Sequence, residues 1–479
     1  MKQYLILDVG TSSVRAALMD EKLHLLRLET VRRKASAQFD AEVEWELLRG
    51  LMKKAASGAG EISGVAVSAL LGWVGVDAQG TAVTPCLSYM HTCPEEYRSG
   101  VWDPARTYAI CRRTASPESG CFQLMHVKKK DPLTYEKIHK FLSLKDFINL
   151  KLTGAAAIDT TTAAYTLLLD VEQSCWSEEM LALTGLTREK LPALAAPGAA
   201  LAPLCAELCR EIGMQVESVP VAVGSVDGST GLLGAGGVEE GDVVSVMGTT
   251  DVVFAVQMHP CGDRSRSLLV NPHVLPGRWN IGGPMGMYGG ALDWFTHTLL
   301  GGERTLSQLG ELADQVAPGS EGVVFLPTLA GERTPFWRPA VEGTVLGLRP
   351  CHRAEHLFRA MMEANCYANR RIVELARESG AKAQRMIAIG GGAKSDVWLQ
   401  MKADVLGLEV CRPEVEEASL AGAAMLAMLA AGKKAAELPR PRIRSSFVPR
   451  TEQKECYTQP YAHFLHIHEA VAALYDDPK

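Results

Sequence analysis

Two short stretches, half a chain apart, share one pattern. In Leu5-Ile6-Leu7-Asp8-Val9-Gly10-Thr11-Ser12-Ser13-Val14-Arg15 an apolar run ends in an aspartate, a glycine and three hydroxyl residues follow, and a second apolar run continues to Met19. In Val243-Val244-Ser245-Val246-Met247-Gly248-Thr249-Thr250-Asp251-Val252-Val253-Phe254 an apolar run again meets a glycine and hydroxyl residues, and a second apolar run follows. Both read as strand, tight turn, strand. The two glycines lie 238 residues apart in a chain of 479, so the spacing predicts two related halves. Such a turn aims backbone N–H groups and hydroxyls at one spot, which is how phosphate oxygens are cradled. Gly10, Thr11, Ser12, Ser13 and Arg15 in the first half, and Gly248, Thr249 and Thr250 in the second, are therefore candidate phosphate binders. Asp8 stands where a carboxylate can hold Mg²⁺ through water. Taken singly, each stretch also reads as an ordinary hairpin. The first loop lacks the lysine of a P-loop and the spacing of a dinucleotide fingerprint.

Composition narrows the class. The length suits two or three domains, each able to bury a core. A net charge of −6 with only short basic runs, Arg32-Arg33-Lys34 and Lys128-Lys129-Lys130, argues against a nucleic-acid partner. The N-terminus has no export pattern and no apolar run reaches the length of a membrane span, so a cytoplasmic protein without a membrane partner is expected. The twelve cysteines include no Cys-x-x-Cys pair, and they read as small hydrophobes in a reducing compartment.

The pattern along the chain predicts strands and one helix over the first ~85 residues, with Ile62–Ser68 and Gly75–Asp77 in the same sheet. From about Cys93 to Gly213 it turns mainly helical, with helical spacing between Pro132 and Thr153. In the second half the spacing predicts a long helix over Arg353–Ser379, a strand over Arg385–Ile389, a small-residue helix over Leu420–Ala431, a Pro/Arg-rich linker over residues 439 to 450, and a last helix over 457 to 475. The expected division is 1–227 and 228–479.

Asp227 follows a strand at Pro220–Val223 and precedes Gly228 and a helix. A carboxylate there is a candidate base for a phosphoryl-transfer reaction. The same position also suits a helix cap. Ile387-Ala388-Ile389-Gly390-Gly391-Gly392-Ala393-Lys394-Ser395 reads as strand, triple glycine and helix start, where backbone can approach a ligand closely. The triple glycine also suits a plain tight turn.

Taken together, these residues resemble the FGGY carbohydrate kinases over about residues 3 to 432. The first phosphate loop of that family is matched by Asp8, Gly10, Thr11 and Arg15, and the second by Met247-Gly248-Thr249-Thr250. The family's Gly-x-x-Asp base corresponds to Gly224-Ser225-Val226-Asp227. Its Leu-Pro-x-Leu-x-Gly-Glu-Arg-x-Pro motif is present from Leu326 to Pro335 and includes Gly331. A further signature is similar to Gly343 to Leu348 followed by His356-Leu357 and Glu363. The adenosine motif looks like Gly390 to Ser395 with Trp398 and Gln400. The resemblance implies two actin-like α/β domains with a nucleotide cleft between them. It also implies Mg²⁺–ATP as cofactor, Asp227 and Asp8 as catalytic residues, and Gly391, Gly392, Ala393 and Ser395 against the adenosine. Gly289 and Asp293 are further nucleotide-side candidates. A homodimer fits the same likeness.

The substrate region departs from the family. Xylulose-kinase-like members carry Ser-Gly-Gln-Met-His-Gly where this chain has Ser68-Ala69-Leu70-Leu71-Gly72-Trp73, and Trp-x-Asp-x-Arg where it has Tyr89-Met90-His91-Thr92-Cys93. Leu71, Gly72, Trp73, His91 and Asp227 are the candidate substrate contacts, with Tyr89 and Met90 adding apolar wall and His126 a further polar candidate. A site that loses hydroxyl partners changes its preference, so the expected substrate is an unusual sugar, polyol or sugar acid and not plain xylulose. The alternative expectation is a silent nucleotide-binding sensor of the same fold.

Overall fold

The computed structural model describes residues 2–97, 102–214 and 218–475. The chain forms two compact units. The first comprises Met1–Gly236, Asn271–Trp279 and Glu417–Pro441; the second comprises Gly237–Val270, Asn280–Glu416 and Arg442–Lys479.

The first unit is built on a sheet of β1 (Gln3–Val9), β2 (Ser13–Asp20), β3 (Leu25–Arg32), β4 (Ile62–Ala69), β5 (Ala200–Pro203) and β6 (Pro220–Ala222), in the order β5-β6-β4-β1-β2-β3. The pair Ser225–Val226 adds to β4. Strand β1 is apolar on both faces because both are covered. Helix Ala41–Ala56 covers one face. Asp40 caps it by accepting the Glu42 and Val43 amides, and its apolar stripe includes Trp45, Leu48 and Met52. Helix Asp227–Gly234 crosses helix Ala418–Ala430 at a glycine pair. A Cβ on Gly422 would stand 1.8 Å from the Thr230 carbonyl, so only glycine permits this approach.

The second unit repeats the plan with β7 (Gly241–Met247), β8 (Asp251–Gln257), β9 (Leu269–Pro272), β10 (Trp279–Pro284), β11 (Ala383–Ile389), β12 (Glu409–Pro413) and β13 (Ile443–Phe447), ordered β9-β10-β8-β7-β11-β12-β13. In both units a hairpin, β1–β2 or β7–β8, is followed on the other side of its first strand by a parallel neighbour, β4 or β11. The predicted duplication is therefore a duplication of topology.

Three expectations are corrected. Gly72–Val76 does not extend the first sheet; it pairs with Cys86–Ser88 and Lys140–Ser143 in a separate four-stranded sheet. That pairing also breaks the helical reading of 132 to 153, since cross-strand bonds at Lys140–Ser143 outweigh local helical spacing. The linker at 439 to 450 contains β13, an edge strand antiparallel to β12. Prolines 439 and 441 lie just before it, where no ladder hydrogen bond is lost. No described helix is long and apolar enough to cross a membrane.

Candidate active site

The first unit places its candidates around the β1–β2 hairpin. Asp8 ends β1 and is fully buried. It sits directly across the hairpin from Arg15, which donates to Asp8 Oδ2 through Nε at 3.0 Å and Nη2 at 2.6 Å. Nη1 of Arg15 pairs with Glu417. The other oxygen of Asp8, Oδ1, is buried with no hydrogen-bond partner. A buried carboxylate oxygen left open is costly unless a donor or cation meets it, so the site fits a hydrated Mg²⁺. Thr11, Ser12 and Ser13 form the turn, half-buried or exposed. The Gly10 amide is spent on the Ser13 carbonyl at 2.9 Å, so it is closed to a phosphate, contrary to the expectation for that group.

Asp227 is the first residue of its helix, not its cap; Val226 holds that position. Its Oδ1 accepts the Gly228 amide at 2.7 Å. The side chain keeps a solvent-facing edge, yet protein surrounds it densely. Desolvation first, and then the negative charge of Asp8, push its pKa up to about 6, against the opposing pull of Gly228 and Arg15. The charge of Asp8 thus makes Asp227 a stronger base.

A network with no motif in the sequence lies behind Asp227. Ser225 Oγ donates to Asp159 Oδ1 at 2.8 Å. Lys145, fully buried, pairs with Asp146 and, at 3.2 Å, with Asp159. Asn149 Nδ2 donates to the Val223 carbonyl at 2.8 Å. Burial raises Asp146 to about 6. The strand leading to Asp227 is therefore held by buried polar groups from two separate segments, helix Leu144–Thr153 and strand Ala157–Asp159.

The substrate candidates divide. Leu71 and His91 are half-buried. His91 Nδ1 lies 2.7 Å from Gln123 Oε1, and Gln123 Nε2 donates back to the His91 carbonyl at 2.8 Å, so the ring is held in place. Tyr89 reaches the hairpin, with its hydroxyl 3.2 Å from Thr11 Oγ1. Gly72 and Trp73 are corrected from pocket wall to core. Gly72 is packed on Cys86, and Trp73, 1 % exposed, stacks on Phe141 at 5.7 Å. A large aromatic ring on a short central strand is stabilised more by burial than by facing solvent. His126 stands with its ring 6.0 Å from that of His91.

The second unit contains a cavity of about 670 Å³. Its lining brings together seven of the predicted nucleotide residues: Gly248, Thr249, Gly289, Asp293, Gly391, Gly392 and Ser395. Trp398 joins them, as do Phe358 and Met362 from the long helix Ala354–Glu378 and Leu306, Ser307 and Glu311 from helix Leu306–Asp314. Those two helices carry no nucleotide motif, and only the tertiary packing reveals their part. Gly289 is required by contact: a Cβ there would sit 2.1 Å from the Gly248 carbonyl. Thr250 is exposed on the turn outside this lining. Ala393 is buried behind the lining and Gly331 lies in a separate loop against Pro339, so neither faces the cavity. Gln400 is likewise turned away, donating to Asp404 and to the Val448 carbonyl.

Two buried clusters brace this unit. Asp251, directly after the second turn, accepts Asn365 at 2.8 Å, Lys402 at 3.2 Å and Ser245 at 3.1 Å, and Lys402 also donates to Asn369 at 2.8 Å. Glu332 accepts the Tyr288 hydroxyl at 2.8 Å and meets His468 Nε2 at 2.5 Å, tying the last helix to the Gly-Glu-Arg loop.

Residues 3–234 match the N-terminal domain, and residues 243–431 the C-terminal domain, of the FGGY family of carbohydrate kinases. The chain belongs to the FGGY family of carbohydrate kinases. Its fold is the two-domain actin-like α/β fold, and the FGGY kinases use ATP. The chain is 29% identical to the xylulose kinase of Escherichia coli, covering 98% of this chain and 99% of that one. It is 27% identical to the gluconokinase of Bacillus licheniformis, covering 90% and 88%. The crystal structure of xylulose kinase from Rhodospirillum rubrum is similar with a TM-score of 0.91 at 25% identity, covering 99% and 100%. This FGGY kinase is an ATP-dependent phosphotransferase acting on a carbohydrate hydroxyl.

Proposed function

We propose that this kinase transfers the γ-phosphoryl group of Mg²⁺–ATP to a sugar, polyol or sugar-acid substrate, with Asp227 as base. One observation carries the reading: Asp227 is a surrounded carboxylate whose pKa is raised by burial and by Asp8 to about 6. Such a group is ionised at neutral pH and still basic enough to take a proton from a hydroxyl as that oxygen attacks. The substrate O–H proton passes to Asp227, the new O–P bond forms, and the bond to the β,γ-bridging oxygen breaks, so that ADP leaves with the electron pair.

Each unit supports its part. In the second, the cavity has the size of a nucleotide site, with Gly391, Gly392 and Trp398 on the adenosine and Gly248 and Thr249 on phosphate. In the first, Thr11, Ser12 and Ser13 offer hydroxyls. Asp8, with its Oδ1 unpartnered, would hold a hydrated Mg²⁺; the ion, when bound, would neutralise phosphate charge. Arg15 fixes the other oxygen.

The substituted loop, with Leu70 and Leu71 where xylulose-kinase-like chains have amide and thioether groups, supports a substrate other than xylulose. The test is ADP release with Mg²⁺–ATP over sugars, polyols and sugar acids, beside Asp227→Ala. A turnover lost in the variant supports the base. Xylulose within about tenfold of the best substrate removes the specificity argument.

A further inference from the structure

The last helix, Thr458–Ala473, lies outside the residues matched to the two family domains, yet one of its side chains reaches the nucleotide side of the second unit. His468, 3 % exposed, meets Glu332 Oε2 through Nε2 at 2.5 Å. The other oxygen of Glu332, itself buried, accepts the Tyr288 hydroxyl at 2.8 Å. Each oxygen of the carboxylate is thus met by one of the other two side chains. Phe336, in the same loop as Glu332, stacks on the imidazole with ring centroids 3.8 Å apart.

This line of three buried polar side chains ends at the second Gly-Thr turn. Tyr288 opens helix Tyr288–Trp294, which has no side-chain cap, so its hydroxyl is a polar anchor of the first turn. The next two residues are fitted to Gly248 and Thr249. A Cβ on Gly289 would stand 2.1 Å from the Gly248 carbonyl oxygen, and the Gly290 amide donates to the Thr249 carbonyl at 2.9 Å. Gly248, Thr249 and Gly289 all line the nucleotide cavity. A second set of bonds leaves the Glu332 loop for the same place. The Thr334 amide donates to the Pro284 carbonyl at 3.2 Å, and the Met285 amide to the Asp251 carbonyl at 2.8 Å, directly after the turn.

We propose, resting on the kinase reading above, that His468 is a positioning residue for the nucleotide: by holding Glu332 on Tyr288 it keeps Gly248 and Thr249 in the geometry that receives phosphate. Without the imidazole, Glu332 Oε2 is left buried and unpartnered, which is costly. The carboxylate then turns to another donor or admits water, and Tyr288 loses its acceptor. The turn relaxes with it, and a small displacement of a binding group loses much of its interaction.

The test is calorimetric titration of the full chain with Mg²⁺–ADP, which needs no sugar. His468→Phe keeps a ring against Phe336 and removes Nε2; its Kd is expected to rise by about threefold or more, within the range for substitutions along a coupled network. Tyr288→Phe is expected to act in the same direction. The double variant is expected to lose no more than the larger single one, because both break one line. His468→Gln, which keeps an N–H able to donate, is expected to retain most of the affinity. Tyr461→Phe is the control: on the same helix it removes a hydroxyl donated to Glu374 at 2.6 Å, and its affinity is expected to match wild type. Wild-type affinity in His468→Phe, or additive losses in the double variant, overturns the proposal and leaves the kinase standing. An equal loss in Tyr461→Phe overturns it too, since the helix then acts only by stabilising the unit. Absence of ADP binding by the wild type overturns the nucleotide reading of the cavity, and the proposal with it. A second measurement avoids the variants. Coupling is reciprocal, so bound ADP must support the helix if the helix supports the turn. Mg²⁺–ADP is expected to slow amide exchange in Thr458–Ala473; slowed exchange at Gly248 and Thr249 with none in that helix overturns the proposal.

Discussion

Asp8 and Arg15 are direct cross-strand partners in the β1–β2 hairpin, and Arg15 closes two hydrogen bonds on a single oxygen of Asp8, at 2.6 and 3.0 Å. The arrangement occupies Oδ2 and leaves Oδ1 open. It also sets two opposite charges beside Asp227, one raising its pKa and one lowering it.

The pH profile follows from those charges. As the base must be ionised, kcat/KM is expected to fall as pH drops through about 6. Asp8→Asn removes a charge that raises Asp227, so the acid limb moves to lower pH. Arg15→Gln removes a charge that lowers it, so the limb moves to higher pH. Rate profiles of the three proteins check both signs.

Asp227→Asn is expected to reduce turnover by at least about a hundredfold while nucleotide binding persists. Retained turnover removes the base. The same variant has a signature in stability. The folded pKa of Asp227 is raised above its ordinary value of 3.8 to about 6, so its contribution is fully present below about pH 4 and is lost as pH rises through 6. The amide avoids that loss. Asp227→Asn is therefore expected to be more stable than wild type at pH 7 to 8, by on the order of 2 kcal/mol, with the gap closing toward pH 4 in denaturant titrations.

Lys402→Met leaves Asp251 buried without its cation, next to the second turn. A loss of about 3–5 kcal/mol is expected, read as a lowered Tm. A weakened KM for ATP is expected beside it, because Asp251 directly follows Gly248, Thr249 and Thr250.

Trp73→Ala separates core from pocket. Stacked on Phe141 and packed on Gly120, Trp73 is expected to cost about 3–5 kcal/mol of stability when truncated. A variant of wild-type stability with an altered substrate preference would return Trp73 to the pocket wall.

Much of this is legible in the amino-acid sequence. The repeated strand–turn–strand of Asp8 to Arg15 and Met247 to Asp251 predicted the duplicated topology, because a hairpin and its turn are local. Of the seven predicted residues that line the second unit's cavity, all but Asp293 sit on turns or helix starts, where glycine and hydroxyl residues have a sequence signature. The places of Gly72, Trp73 and Lys140–Ser143 are not legible there because their ladder joins three separate segments, and local periodicity does not record it. The strand at Ile443–Phe447 was hidden for the same reason.

The sequence by itself determined the family, the two halves, the carboxylates Asp8 and Asp227, and the departure of the substrate loop, since each rests on residues close together in the chain. Only the tertiary structure decided which oxygen of Asp8 stays open and which charges act on Asp227. It alone showed that Phe358 and Met362 line the cavity, and that Lys145, Lys402 and Arg113 are buried. Burial and charge pairing depend on groups that are distant in sequence and adjacent in space, and those neighbours determine which buried lysine meets which carboxylate.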